Sequence, residues 1–303
     1  MKNDFRYISG LDIQSDYISV AQYSSEQDAV LLIAIQPISA AKSPDLLTNA
    51  ETELRGLKNK FKFHSPNVVC SIPSEYAIIK HLCVDSDEPD LREAVQWEIA
   101  QQVIGTVEQY SFDFEECRNP DDDSRRVLAA AYRNDSVRNL SSMLKNVKLN
   151  PVVLDLDIFA LINVYEANYK ENLHFDTVLV HSEGEKTKLV LTKNGQYLDC
   201  EIFEYEYDSL EPATYLQRLQ GEINRFASIN NIDDGEGILR VMFSGSLFSQ
   251  QEYRASARGF MGSGEILNPF RIISCKAGID GERLAQYSPQ LAVAVGLALR
   301  GND

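Results

Sequence analysis

The feature that most constrains the fold is a strand–turn–strand pattern that occurs twice in the chain. Residues 8–23 read ISGLDIQSDYISVAQY, where an apolar run is followed by a polar turn and by a second, alternating run. This pattern predicts a β-hairpin. Residues 178–191, VLVHSEGEKTKLVL, repeat it. Two such hairpins far apart in one chain predict a duplicated fold that closes around a central cleft.

The first hairpin has the residue types of a phosphate-binding turn. It opens with Asp12 and has small hydroxyl residues in the turn, so that a carboxylate and backbone N–H groups could face a phosphate–metal unit. Neither turn, however, is rich in glycine, the residue that lets a backbone approach a nucleotide closely. The pattern therefore leaves two hypotheses open, a nucleotide site and a purely architectural pair of hairpins.

Length and charge narrow the range of functions. A chain of 303 residues predicts two domains, or one domain with an insertion. The formal charge of −16 argues against a nucleic-acid partner, which needs a basic surface, and against unassisted adsorption to anionic lipid. A basic partner segment remains compatible with this charge.

Cysteine usage and hydropathy indicate a compartment. The five cysteines are scattered and form no C-x-x-C pair, which is typical of reduced thiols. The N-terminus lacks the apolar core of a signal peptide, and no apolar run approaches the ~20 residues that span a bilayer. We expect a cytoplasmic protein.

The first half is predicted to contain a separate α/β unit. After the first hairpin, the pattern predicts a strand at 30–35, a helix capped by Ser43 and a strand at 67–72. The unit that follows is predicted as strand–helix–strand–strand–helix–strand. Its elements are a strand at 77–84, a helix from Ser86 or Asp87 to Val103, strands at 110–117 and 126–133 around an acidic turn, a helix at 136–147 and a closing strand at 151–154.

The second half repeats the hairpin of the first. A helix at 158–168 precedes the second hairpin, and Asn194-Gly195 predicts a further tight turn. A strand with one acidic face is predicted at 201–208, where the charges would discourage edge-to-edge pairing. A long helix and a buried strand at 239–243 follow. The last helix, 290–300, is rich in small residues, which permits close packing against another element.

Four motifs point to a known family. They are Gly10-Leu11-Asp12-Ile13, Ser71-Ile72-Pro73, the helix EAVQWEIAQQV with its downstream strand YSFDFEEC, and the C-terminal SPQLAVAVGLALR. Their order resembles the actin-like ATPase superfamily. More narrowly, it resembles the PilM family of type IV pilus assembly proteins and relatives such as MshI and the cytoplasmic domains of type II secretion GspL proteins.

The resemblance implies an α/β fold of the actin-like, or ribonuclease H-like, duplicated type. The first core subdomain would span residues 1–76 and resume at 151–172, with an inserted subdomain at 77–150. The second core subdomain would span 173–303. It would be reduced, because only a short stretch separates Glu201 from the helix at Tyr215, where the family usually has an extra lobe.

The resemblance also implies where a nucleotide would bind. The positions concerned lie in the two hairpins and in a later turn: Asp12, Gln14, Ser15, Gly184, Lys186, Ser244 and Gly245. Gln14 stands where the family usually has glycine, and His181 where an acidic residue is usual. We therefore expect a degenerate site and no bound cofactor, with ATP and magnesium as the alternative. No catalytic residues or metal ligands are predicted, and we interpret His181 as a hydrogen-bonded structural histidine.

The resemblance implies a scaffold function. Such a protein would bind the cytoplasmic N-terminal segment of a PilN-like single-span partner, and would reach the inner membrane only through that partner. The groove would be walled by residues 72–82 and 151–159. The alternative is an active actin-like ATPase or a sugar-kinase-like phosphotransferase on the same fold.

Overall fold

The computed structural model describes residues 6–39, 45–85, 88–117, 124–204, 211–232 and 239–300. The chain forms two units. The core unit comprises Met1–Ile72 and Val147–Asp303, and the inserted unit is Pro73–Asn146. Within the described residues, no helix has both the length and the apolar character needed to cross a membrane.

The elements before the second hairpin belong to the first half of the core unit and to the inserted unit. In chain order they are β1 (Tyr7–Ile13), β2 (Tyr17–Ser24), β3 (Ala29–Pro37), α1 (Leu46–Lys60), β4 (Asn67–Ile72), β5 (Ile78–Asp85), α2 (Leu91–Ala100), β6 (Tyr110–Cys117), β7 (Ser124–Arg133), α3 (Asn134–Asn146), β8 (Asn150–Leu156) and α4 (Asp157–Asn168).

The remaining elements form the second half of the core unit. They are β9 (Thr177–Glu183), β10 (Lys186–Lys193), β11 (Gln196–Glu204), α5 (Pro212–Ile229), β12 (Arg240–Ser244), α6 (Gln251–Ala257), β13 (Glu265–Ile266), β14 (Ser274–Cys275), α7 (Gly281–Tyr287) and α8 (Ala292–Arg300).

The two sheets of the core unit share one topology. The first has the order β14-β3-β2-β1-β4-β8, and the second has the order β11-β10-β9-β12-β13. In each sheet, three consecutive antiparallel strands are followed by two strands that pair in parallel. The duplication predicted from the two hairpins is confirmed.

The tight turns of the core unit follow from local chemistry. In the first hairpin, Gln14 N–H donates to the carbonyl of Tyr17 at 2.9 Å and closes the turn. Between β10 and β11, Asn194 and Gly195 both have positive φ, 53° and 77°. These angles match the type I′ turn that the asparagine–glycine pair favours, so that prediction is confirmed.

Helix α8 packs against the backbone of its neighbours because of two glycines. A Cβ on Gly10 of β1 would lie 1.9 Å from the carbonyl oxygen of Ala294, and one on Gly296 would lie 1.9 Å from that of Ala160 in α4. Any side chain at either position would push the elements apart. The close packing expected of this small-residue helix is thus observed on both β1 and α4.

The inserted unit has its own sheet and core. Its strands have the order β5-β7-β6, and the buried side of α2 contributes Val95 and Ile99 to a cluster with Val84, Val127 and Ala129. The predicted closing strand does not belong to this sheet. That strand, β8, pairs in parallel with β4 of the core unit, so the inserted unit contains five of the six predicted elements.

Two predicted helix starts are wrong. Asp90 caps α2 by accepting a hydrogen bond from the N–H of Glu93 at 3.0 Å, and Asp45 caps α1 by accepting one from the N–H of Thr48 at 3.0 Å. The predicted caps, residues 43 and 86–87, lie outside the described residues. Each helix begins at the last suitable side chain before its apolar periodicity, because a capping carboxylate must reach the first free N–H groups.

The close packing of α8 predicts a large effect from a single methyl group. Gly10→Ala should lower the free energy of unfolding by about 3 kcal/mol or more, because the clash is with backbone rather than with a movable side chain. Urea denaturation followed by circular dichroism measures this. Gly221→Ala, where an added Cβ meets nothing within 4 Å, is the matched control and should leave stability unchanged or raise it by up to about 1 kcal/mol. Equal stability of Gly10→Ala and the wild type would contradict this packing.

Candidate functional site

The turns of the two hairpins lie next to each other in the core unit. Gly184 has φ of 54°, and a Cβ built on it would lie 3.4 Å from the Ser15 hydroxyl oxygen. Behind these turns the strands carry buried polar groups rather than apolar ones. The ends of β1, β2, β9 and β12 therefore lie close together, and we refer to this junction of polar residues as the cleft.

Asp12 is fully buried and held by two neighbouring side chains. Gln14 Nε2 lies 3.0 and 3.1 Å from its two carboxylate oxygens, and the Ser71 hydroxyl donates to Oδ1 at 2.7 Å. Burial raises the pKa of Asp12 to about 6, against the opposing effect of these hydrogen bonds. Gln14, which stands where glycine is usual, covers this carboxylate.

The hydrogen bonds of His181 define its tautomer. The Ser244 hydroxyl lies 3.2 Å from the carbonyl of Val180 and donates to it. The same hydroxyl must therefore accept from His181 Nδ1, 2.9 Å away. His181 Nε2 then carries no proton, which agrees with a pKa that burial lowers to about 3. The expectation of a hydrogen-bonded histidine is met by this geometry.

Glu183 occupies the centre of the cleft. Its Oε1 accepts the backbone N–H of Ser246 at 3.0 Å and lies 3.3 Å from His181 Nε2. Burial raises the pKa of Glu183 to about 8, which favours the protonated carboxyl group at neutral pH. Burial, and next the carboxylate of Glu183, raise the pKa of Tyr17. The group is a buried polar network with no formal charge at neutral pH.

Three buried atoms of this network lack ordinary hydrogen bonds. Within the described part of the chain, Tyr17 Oη, His181 Nε2 and Glu183 Oε2 have no partner of standard geometry. All three residues are less than 8 % exposed. Buried polar atoms of this kind are usually satisfied by small adjustments or by an ordered water molecule.

A buried ion pair lies on the same side of the second hairpin as His181, because Lys188 is directly opposite His181 in the strand pairing. Lys188 is 5 % exposed, and its ammonium group contacts the carboxylate of Asp157, which is 2 % exposed. Asp157 also accepts the N–H of Ile158 at 2.8 Å, at the start of α4. Lys188, one of the two lysines of β10 that could have supplied charge to a phosphate, is therefore already engaged by the protein.

The structure brings most of the predicted site residues together. Asp12 and Ser244 are buried in the cleft, Ser15 and Gly184 lie in the adjoining turns, and Gly245 lies over the backbone of Ser182, where a Cβ would be 2.2 Å from its carbonyl oxygen. Lys186 begins β10, half-buried.

Sequence reasoning missed Tyr17, Ser71 and Asp157 as members of the site. Asp157 has a local signal, since it directly follows strand β8 and begins α4, and an acidic residue is favoured in the first turn of a helix. Tyr17 and Ser71 have no such local signal, because strand pairing alone brings them close to the other site residues.

The duplicated sheets around a polar cleft, with an inserted unit in the first half, define an actin-like fold. A solved PilM–PilN type IV pilus biogenesis complex contains a chain with 22% identity and a TM-score of 0.78, with 98% of each chain covered. A protein of unknown function with an actin-like ATPase fold from Bacteroides thetaiotaomicron matches at 13% identity and a TM-score of 0.54, covering 93% of this chain and 95% of that one. The ethanolamine utilization protein EutJ from Carboxydothermus hydrogenoformans matches at 12% identity and a TM-score of 0.54, covering 97% of this chain and 89% of that one.

Sequence comparison identifies the family. The profile of the family described as type IV pilus assembly protein PilM matches residues 10–196, more than half of the chain. This chain belongs to the PilM family. None of the curated proteins matches it significantly by sequence.

The protonated state of Glu183 predicts a specific dependence of stability on pH. Its pKa is about 8 in the folded chain against 4.5 for an ordinary glutamate, so its contribution is complete below pH 4.5 and is lost as pH rises to 8. The raised pKa of Asp12 also makes the free energy of unfolding fall with rising pH, but only up to pH about 6. The lowered pKa of His181 makes the free energy of unfolding rise with pH, up to pH 6.5. Between pH 6.5 and 8 the free energy of unfolding should therefore fall, by at most about 1.4 kcal/mol per pH unit.

Glu183→Gln should remove this decline, because glutamine keeps the size and a donor but does not titrate. Urea denaturation at several pH values measures the slope. Glu185→Gln makes the same side-chain exchange in the exposed turn and should keep the wild-type slope. Parallel curves for Glu183→Gln and the wild type would rule out a protonated Glu183.

The buried ion pair predicts a loss of stability that a second substitution relieves. Lys188→Met should lower the free energy of unfolding by about 3–5 kcal/mol, because it leaves the Asp157 carboxylate buried without its cation. Adding Asp157→Asn, which can still accept the N–H of Ile158, should restore part of this loss. A double variant less stable than Lys188→Met would show that the charge of Asp157 is not the cause.

Proposed function

We propose that this chain is a non-catalytic scaffold of a type IV pilus inner-membrane assembly platform. It lies at the cytoplasmic face of the membrane and binds the N-terminal cytoplasmic segment of a PilN-like single-span protein. The observation that carries the proposal is membership of the PilM family together with likeness, over 98% of the chain, to a PilM–PilN complex.

Two edge strands support a peptide-binding role. β8 is the outermost strand of the six-stranded sheet, and β5 is an outer strand of the three-stranded sheet. Both lie in the segments expected to bind the partner. An extended segment can add to such an edge by main-chain hydrogen bonds, with pockets for alternate side chains. On β8, Val153 is 37 % exposed and offers an apolar contact.

The proposal includes a degenerate nucleotide site. The groups that a magnesium–nucleotide would need are bound by protein partners: the Asp12 oxygens by Gln14 and Ser71, the Lys188 ammonium by Asp157, and the Ser246 N–H by Glu183. In the described residues, no group of three or more His, Cys, Asp or Glu could hold a metal ion. These residues do not fit the nucleotide, which favours the scaffold over an ATPase or a phosphotransferase.

Binding of the PilN-like segment should depend on the edge of β8. Val153→Lys should weaken binding of a synthetic peptide of that segment at least about tenfold, because it places a charge on the apolar edge. Calorimetry with the full chain measures the affinity. Ile229→Lys, at an exposed aliphatic residue of α5, is the control and should bind like the wild type. Unchanged binding by Val153→Lys would place the segment elsewhere, and no binding by the wild type would contradict the proposed function.

A further inference from the structure

The side chain of Gln14 donates to Asp12 in the way that a hydrated cation would. Its amide nitrogen lies 3.0 and 3.1 Å from the two carboxylate oxygens, so one donor group faces both. Magnesium keeps several water molecules when a protein holds it through one or two carboxylates, and those waters are donors too. Asp12 is 0 % exposed, whereas Gln14 is half-buried. The carboxylate is therefore covered by a side chain that reaches the surface.

The hairpin turn itself does not require the Gln14 side chain. The backbone N–H of Gln14 closes the turn by donating to the carbonyl of Tyr17, and any residue other than proline supplies that donor. Within the described part of the chain, both side-chain hydrogen bonds of Gln14 go to Asp12. The amide group can therefore be exchanged without removing a hydrogen bond of the turn.

Further oxygen atoms on the same face of the first hairpin lack donors. Ser19 is directly opposite Asp12 in the strand pairing, so the two side chains share a face, with Cβ atoms about 5 Å apart. Tyr17, two residues before Ser19 on β2, lies on that face as well. Both hydroxyl oxygens are buried and have no hydrogen bond of standard geometry to any described residue. A carboxylate with neighbouring hydroxyl oxygens is a set of ligands that hard cations prefer.

We propose that Gln14 is a built-in substitute for a divalent cation of the magnesium class, and that this one side chain keeps the cleft closed to metal. The inference rests on the degenerate site of the proposed function and not on its partner segment. The amide group supplies Asp12 with donors that do not depend on the concentration of magnesium. Exchanging the amide for a carboxylate then restores a need for the cation.

The isosteric exchange Gln14→Glu tests this most sharply, because it turns the donor into a second carboxylate that faces Asp12 and needs a cation between them. Electron paramagnetic resonance of manganese(II), whose oxygen ligands are those of magnesium, measures binding to the full chain. Gln14→Glu should bind about one equivalent at least about tenfold more tightly than the wild type. Adding Asp12→Asn should abolish this gain.

Gln27→Glu is the matched control for added charge. It makes the same side-chain exchange in the exposed turn between β2 and β3 and should bind manganese like the wild type. If Gln14→Glu does not fold, Gln14→Gly is the second variant, since it uncovers Asp12 without adding a charge. Gln14→Gly should also bind manganese more tightly than the wild type.

Stability gives a second readout. Magnesium should raise the free energy of unfolding of Gln14→Glu and leave that of the wild type unchanged, because a ligand that binds only the folded chain stabilises it. Urea denaturation with and without magnesium, at constant ionic strength, measures the difference.

Three results would overturn the proposal. They are manganese affinities of Gln14→Glu and Gln14→Gly no higher than that of the wild type, an equal gain in Gln27→Glu, and one equivalent bound by the wild type that Asp12→Asn removes. None of these alters binding of the PilN-like segment, so the scaffold function is judged separately. Micromolar binding of magnesium–ATP by the wild type would contradict the degenerate site and this inference together.

Discussion

Burial of polar groups between the two hairpins is the constraint on which the centre of this protein depends. Taking Asp12, His181, Glu183 and Lys188 out of water would be unfavourable if each kept its solution charge without a partner. Each of these buried groups is stabilised in a different way. His181 and Glu183 are neutral at pH 7, Lys188 is paired with Asp157, and Asp12 is hydrogen-bonded by Gln14 and Ser71.

The backbone around this network is equally constrained. Gly10 lies two residues before Asp12, and its contact with α8 fixes β1 against the helix, while Gly296 fixes the same helix against α4. Because these contacts involve backbone atoms, an added methyl group at either glycine cannot be accommodated by moving a flexible side chain.

Much of the fold could be predicted from the sequence, because hydrophobic alternation and turn chemistry are local. Strands β4 and β6 have the predicted bounds, and the Asn194-Gly195 turn has the predicted backbone. The residue pattern alone assigned β8 to the inserted unit, because strand pairing joins residues far apart, whereas the family resemblance assigned residues 151–172 to the core. The same distinction applies to the site residues. Asp12 and Gln14 were identified from their motif, whereas the raised pKa of Glu183 results from its burial, which only the tertiary structure produces.

The central claim is that the cleft is filled by its own side chains and does not hold a nucleotide. Isothermal titration calorimetry of magnesium–ATP into the full chain tests it most directly. The account predicts no binding heat up to millimolar nucleotide, because the carboxylate, ammonium and N–H groups of the cleft already have protein partners. Saturable binding at micromolar concentration, lost in Asp12→Ala, would contradict it.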